Sequence, residues 1–255
     1  MSESIVSIIN IPQLKDNYSY LIKANNSNNA IIVDPAESNI VLKYIEKNQL
    51  KLVAILLTHH HIDHTAGVKD ILNNVTVPVY SPSAEISGTT NVILHNDKIN
   101  LEFITIKVIT TPGHTLDHVV YYNKKNKILF SGDTLFRLGC GKIFEGSYEI
   151  MYESLKKIEE LDNDTFVYCG HEYTLNNLKF LMSLFPNNAD LKMEKEKINL
   201  QLSKNGTSIP FNLGHEKNIN PFLSTKFSFY KHFKKKNNFT NLELFSHLRE
   251  LKDNF

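Results

Sequence analysis

Apolar and polar positions follow two regimes along the chain. Over the first two thirds, short runs rich in Ile, Val, Tyr, Phe and Thr are bounded by Asn, Pro, Gly and Asp: "SIVSIINI", "YSYLIKA", "AIIVDPAE", "LVAILLTH", "PVYSP", "FITIKVITTPG", "VVYYN" and "KILFSGDT". Branched and aromatic side chains suit a pleated surface and the bounding residues suit turns, so these runs predict strands. Between them, "SNIVLKYIEKNQ" places Ile40, Val41, Tyr44 and Ile45 at helical spacing. "AGVKDILNN" and "SYEIMYESLKKIEELD" behave similarly, the latter with Ser147 as N-cap. Strands interleaved with helices predict a mixed, layered α/β domain. After "TFVYCGHEYT" the pattern turns almost entirely helical, with "LNNLKFLMSLF", "NADLKMEKEKINLQLSKNG" and "NLELFSHLRELKDNF". The shift predicts an α/β domain over residues 1–172 and a helical domain over 173–255.

A chain of 255 residues with 42% hydrophobic content can bury a full core. The N-terminal stretch lacks a basic region followed by a long apolar run, and nothing later reaches membrane-spanning length. A cytoplasmic, monomeric protein without a membrane partner is the expectation. Two cysteines, Cys140 and Cys169, in a chain of this size fit reduced thiols better than a disulfide staple. The formal net charge of +1 conceals an asymmetry: 15 basic against 20 acidic side chains up to Glu172, and 13 against 7 after it. A basic tail of this kind fits an anionic partner. The run "KHFKKKNN" contributes, but nucleic acid would require a broader basic surface, so none is expected as a partner.

The candidate chemistry is concentrated in "LLTHHHIDHTAG", Leu56 to Gly67. "LVAILL" reads as a buried strand, which leaves Thr58 and the histidines in the loop at its end, with a helix beginning around Thr65. His59 and His61, two apart in extended chain, point to one side; Asp63 and His64 follow where the chain turns into the helix. His60 should point away, and Ile62 should pack. Imidazole and carboxylate suit zinc, iron or manganese. Two pairs on one loop fit two ions, whose remaining ligands must come from other strand ends. Three stretches repeat one design of strand, glycine and ligand: "ITTPGHTLDH" before His114, "ILFSGDT" before Asp133 and "FVYCGHEYT" before His171. Glycine allows close backbone approach and a strand end gives rigid support. Only a carboxylate among these groups can bridge two cations, which makes Asp133 the shared ligand. His118 either supports a ligand or begins the next strand; His95, His215, His232 and His247 lack such context.

"THHHIDH", "GHT" at Gly113 and "GDT" at Gly132 resemble the metallo-β-lactamase superfamily. "SGDTLFRLGCGKIFEGS", "CGHEYTLNNLKF" and the terminal "LRELKDNF" narrow the resemblance to its hydroxyacylglutathione hydrolase (glyoxalase II) family, over essentially the whole chain. The resemblance implies a four-layer αββα sandwich followed by a helical substrate-binding domain. It implies His59, His61 and His114 on one divalent metal, Asp63, His64 and His171 on the other, and Asp133 bridging. Zinc is the expected metal, with iron or manganese as alternatives. The implied reaction is hydrolysis of S-lactoylglutathione to lactate and glutathione by a hydroxide shared between ions about 3.5–4 Å apart. Asp63 and Asp133 would be the catalytic carboxylates.

Glutathione is anionic, which gives the basic tail a partner. Arg249 and Lys252, three apart on one helical face, match the family's terminal glutathione-binding pair; Lys142, Phe144 and Tyr173 match further substrate contacts. Two departures stand out. Ser224 lies where the family often carries Arg, and Phe144 replaces a tyrosine found in some members, removing a hydroxyl donor. A glutathione-persulfide dioxygenase with one iron is the nearest rival, and His171 with the helical tail argues against it. A nucleic-acid-processing metallohydrolase would use "KHFKKK" on phosphates but leaves Arg249 and Lys252 unexplained.

Overall fold

The computed structural model describes residues 5–224 and 228–255. By its internal contacts the chain divides into two compact units, Met1–Thr110 with Asp117–Gly132, and Thr111–Leu116 with Asp133–Phe255.

The first unit holds two sheets. Strands β1 (Val6–Gln13), β2 (Asn17–Ala24) and β3 (Asn29–Val33) pair antiparallel in sequence. Helix α1 (Ser38–Lys47) then crosses over to β4 (Lys51–Leu56), which lies parallel to β3. The short helices α2 (Ile62–Thr65) and α3 (Val68–Leu72) follow, and β5 (Val79–Ser81) and β6 (Asn91–Val92) extend the sheet in parallel. Strands β7 (Lys98–Leu101), β8 (Ile104–Thr110), β9 (Val119–Asn123) and β10 (Ile128–Gly132) form an antiparallel meander. Every residue of β9 and β10 is buried, and β2 is buried except at Lys23, the pattern of strands covered on both faces. On the outer face of the first sheet, Leu21, Ile32, Ile55 and Leu57 form one core with Val41 of α1 and Val68 and Ile71 of α3. Between the two sheets, the Tyr20 and Phe130 rings lie 5.5 Å apart and the Tyr121 hydroxyl donates to the Leu57 carbonyl at 2.6 Å. Burial drives the Tyr121 pKa well upward, so the phenol stays a neutral donor.

The second unit begins with a tight pair, β11 (Leu135–Phe136) and β12 (Gly139–Cys140). Helix α4 (Tyr148–Glu159) is capped by Ser147, whose hydroxyl accepts from the Ile150 amide at 3.2 Å, as the sequence predicts. Strand β13 (Phe166–Cys169) leads to α5 (Thr174–Leu184) and α6 (Ala189–Asn205). Strand β14 (Phe211–Asn212) pairs with β13, and α7 (Leu213–Ile219), α8 (Ser228–Lys236) and α9 (Asn241–Asp253) complete the unit. A capping box between Thr240 and Glu243 starts α9. The basic run falls on α8, with Lys234, Lys235 and Lys236 in its last turn, where cations meet the negative end of the helix dipole.

A buried ionic network holds this unit together. Arg137 donates to Glu194 at 2.8 Å, to Gln201 at 2.8 Å and to the Ser208 carbonyl at 2.9 Å. His215 Nε2 lies 2.9 Å from the other Glu194 oxygen. Burial alone would raise the Glu194 pKa, but hydrogen bonds from His215 and Arg137 outweigh it and hold the carboxyl at about 2. No described helix is long and apolar enough to cross a membrane.

Candidate metal centre

In the first unit the donors sit just past the end of β4. Thr58 and His59 are fully buried, and the Thr58 carbonyl accepts from the Val119 amide at 2.9 Å, tying the loop to β9. His61 is the N-cap of α2, so the helix starts at Ile62 and not near Thr65; the first turn carries Asp63 and His64. Donor atoms of His59 lie within 4.8 Å of those of His61 and of His64, and Asp63 Oδ2 is 3.8 Å from His64 Nε2. His60 is exposed, with Nδ1 3.0 Å from Asp117. Ile62 does not pack as expected: it is 74% exposed, because the helix starts three residues early and turns this position outward.

Asp34 and Asn17, which the sequence did not single out, orient these donors together with Thr58 and His118. Asp34 follows β3 with φ of 50°, a left-handed conformation that Asp tolerates better than most residues. Its carboxylate accepts the Thr58 amide at 2.8 Å and the Thr58 hydroxyl at 2.7 Å, and lies 3.1 Å from His64 Nδ1. Because the Thr58 proton goes to Asp34, its oxygen accepts from His59 Nδ1 at 2.9 Å. Both imidazoles therefore carry their proton on Nδ1 and their lone pair on Nε2, the arrangement that suits a metal ligand. Asn17 donates to Asp63 Oδ2 at 3.0 Å and to the Asp63 carbonyl at 3.2 Å. His118 is buried and its ring stacks on His59 at 4.8 Å. Gly132, at φ of 47°, ends β10 where an added Cβ would lie 2.7 Å from His118 Nε2 and 2.8 Å from the Thr58 hydroxyl. In "IIVDPAE" the aspartate reads as a turn former; its partners are 24 and 30 residues away.

In the second unit Asp133 stands between two imidazoles, with Oδ2 3.4 Å from His114 Nε2 and 3.2 Å from His171 Nε2. All three are buried. His114 Nδ1 donates to the Lys142 carbonyl at 2.7 Å; a carbonyl can only accept, so this ring too presents its lone pair on Nε2. Tyr173 stacks flat on His171 at 4.6 Å, and Phe144 meets His114 edge-on at 5.2 Å while remaining 60% exposed. The Lys142 ammonium lies 5.6 Å from the Phe144 ring.

The terminal helix α9 carries the two expected substrate cations, and they differ. Lys252 is half-buried, with Nζ 3.3 Å from the Asn176 carbonyl and 5.1 and 5.3 Å from the rings of Phe180 and Phe255. Burial, and then the charge of Arg249, lower its pKa to about 8. Arg249 is 4% exposed and donates to the Cys140 carbonyl at 2.9 Å and to Asp253 at 2.9 Å. Ser224 is buried and lines a cavity of about 200 Å³ with Tyr152, Lys156, Phe222 and Phe245, a cavity that no metal-donor side chain lines. Cys140 and Cys169 are buried thiols outside any disulfide among the described residues, and burial raises the pKa of both, which disqualifies them as nucleophiles.

Imidazoles fixed as Nε2 donors, joined by carboxylates at buried strand ends, fit a divalent metal of borderline hardness. Fold and donor set define a metallohydrolase of the metallo-β-lactamase superfamily, whose family model matches residues 14–171. The model of the hydroxyacylglutathione hydrolase C-terminus matches residues 172–255. The hydroxyacylglutathione hydrolase of Pectobacterium atrosepticum is 42% identical over 98% of this chain and 100% of its own length, and that of Klebsiella pneumoniae is 40% identical over the same shares. The crystal structure of ETHE1 from Myxococcus xanthus superposes with a TM-score of 0.67 over 96% of each chain at 22% identity, a likeness of fold. The chain belongs to the hydroxyacylglutathione hydrolase family. Its fold is the α/β sandwich of the superfamily with a C-terminal helical region, and it is a divalent-metal hydrolase.

Proposed function

We propose that the protein hydrolyses S-lactoylglutathione and related 2-hydroxyacyl glutathione thioesters, with two divalent ions, zinc in the first place, held by His59, His61 and His114 and by Asp63, His64 and His171, and shared by Asp133. When bound, such ions act as Lewis acids that activate water and polarise the thioester carbonyl. Asp34 and Thr58 hold His64 and His59 in the donor tautomer, and the Lys142 carbonyl does the same for His114. Asn17 fixes the Asp63 carboxylate. Arg249 and Lys252 jointly hold a substrate carboxylate, while Lys142, Phe144 and Tyr173 contact the remainder of the glutathione moiety. In the reaction the acyl C–S bond breaks, a C–O bond to water forms, and one proton of the water ends on the sulfur of glutathione. Residues 173–255 are the substrate-binding part, and two buried cysteines kept as thiols favour a reducing compartment such as the cytoplasm.

The observation that carries this reading is that α9 holds a half-buried, depressed-pKa lysine in the same compact unit as the His114–Asp133–His171 group. The test is cleavage of S-lactoylglutathione by purified protein with metal content measured on the same sample. Turnover that is abolished by chelation and restored by Zn²⁺ supports the proposal, and no cleavage by protein with both ions bound overturns it.

A further inference from the structure

We infer that Arg249 is a positioning residue that ties α9 to the imidazole of His114 through the backbone of Cys140, Gly141 and Lys142, so that the substrate-binding helix and a metal-donor ring are held as one piece. The inference rests on the assignment of His114 as a metal ligand and Lys252 as a substrate contact.

Arg249 is the buried member of the terminal cation pair, and both of its terminal nitrogens are engaged. The ion pair with Asp253, four residues on, braces the guanidinium along the helix. The cation–π contact with Phe222, 5.5 Å from the guanidinium carbon to the ring centroid, adds a third partner. The Cys140 carbonyl accepts from the other terminal nitrogen, while the buried Nε has no hydrogen-bond partner among the described residues. A guanidinium buried at this depth is stable only where such partners are already in place, so its geometry and that of Cys140 are fixed together.

From Cys140 the chain leads straight to the donors. Cys140 pairs with Leu135 across the β11–β12 turn, and the Gly141 amide donates to the Thr134 carbonyl at 3.2 Å. A Cβ on Gly141 would lie 1.9 Å from the Asp133 carbonyl oxygen and 3.2 Å from His114 Nδ1, so the backbone passes directly over the ligand-bearing segment. One residue later, the Lys142 carbonyl accepts the Nδ1 proton of His114. Guanidinium and imidazole are thus separated by one hydrogen bond, two steps of backbone and a second hydrogen bond. Lys252, one turn beyond Arg249, keeps its ammonium half-buried against Asn176, Phe180 and Phe255.

A positioning role predicts effects at the metal centre that a substrate contact alone does not, and Zn²⁺-loaded Arg249→Ala, Arg249→Lys and Lys252→Ala expose them. Competition with a chromophoric chelator should show Arg249→Ala binding Zn²⁺ about tenfold more weakly, in the range for loss of a partner behind a ligand. Its kcat should fall more than its KM rises, and the hydrogen-bonded Nδ1 proton of His114 should shift in the NMR spectrum. Lys252→Ala should raise KM for S-lactoylglutathione with wild-type Zn²⁺ affinity. Should Arg249→Ala not fold, Arg249→Lys decides: it keeps one donor but loses the braced fork, and a severalfold weaker Zn²⁺ affinity is expected. Wild-type Zn²⁺ affinity and an unmoved His114 proton in the folded Arg249 variants would overturn the inference, whatever happens to KM. Failure of the substrate assignment would appear separately, as Lys252→Ala with an unchanged KM.

Discussion

Nδ1 of His64 lies 3.1 Å from the carboxylate of Asp34, a residue 30 positions earlier in the chain. The same carboxylate takes the Thr58 proton and so sets His59 as well. Asp34→Asn would offer an amide donor toward His64 Nδ1 and oppose the donor tautomer. It should weaken metal binding about 10–100-fold with the fold retained. Chelator competition on the folded variant checks this; unchanged affinity would separate Asp34 from the metal centre.

Asp133→Ala removes the carboxylate that faces both His114 and His171. Both ions should bind more weakly, with a loss of activity beyond the about 100-fold expected of an outer partner. Elemental analysis and thioester turnover on one sample are the measurements. A variant that retains two metals and full activity would exclude Asp133 as the shared ligand.

Lys252 carries its charge only below a pKa of about 8, against an ordinary 10.5, because burial and then the Arg249 charge disfavour the cation. Asp253 and Cys140 oppose this and Lys179 adds to it. As pH rises through about 8 the ammonium is lost, so KM for a glutathione thioester should rise on the alkaline side while kcat changes less. Lys252→Ala should show a high KM at every pH, with the alkaline rise gone. A KM profile in the variant that still climbs above pH 8 would assign the titration elsewhere.

Glu194 and its neighbours set the stability of the helical region against pH. Glu194 has a folded pKa of about 2 against 4.5, so its contribution is present above pH 4.5 and is lost as pH falls toward 2. His215, raised above 6.5 by Glu194, contributes fully below pH 6.5 and loses that contribution as pH rises through its folded value. Glu216, pushed up to about 7 by burial, also removes stability between pH 4.5 and 7. Stability from this cluster should therefore peak near pH 4.5, fall toward pH 7 as Glu216 ionises, and fall further above pH 6.5 as His215 loses its proton. Glu194→Gln should cost about 3–5 kcal/mol, since it leaves Arg137 buried with a neutral partner, and should flatten the acid limb in denaturant titrations.

Phe144 faces solvent beside His114, where some relatives of this chain are expected to carry tyrosine. Phe144→Tyr would restore a hydroxyl donor and should lower KM for S-lactoylglutathione by about two- to tenfold, the value of one net hydrogen bond, with metal content unchanged. An identical KM would remove position 144 from the substrate contacts.

Much of this protein is decided locally. The longer strands of the first unit, the N-cap at Ser147 and the helices α5, α6 and α9 follow from periodicity and turn chemistry, because each carries its signal within a few consecutive residues. The donor types past the strand ends are equally visible, since a glycine followed by His or Asp is a local pattern. Short elements such as β6, β7, β11, β12, β14 and α7 were not legible: two to seven residues carry too little periodicity, and their pairing partners supply the stability. The outward turn of Ile62 depended on where α2 starts, which the His61 cap determined.

By itself, then, the sequence determined which side chains offer metal-ligating atoms and placed Arg249 and Lys252 together on the last helix. Tertiary structure decided how they are used. The Asp34–Thr58 relay, the Lys142 carbonyl on His114 and the burial of Arg249 against Cys140 join residues 24 to 109 positions apart. Such hydrogen bonds are fixed only when packing brings the segments together and excludes the water that would otherwise compete for them.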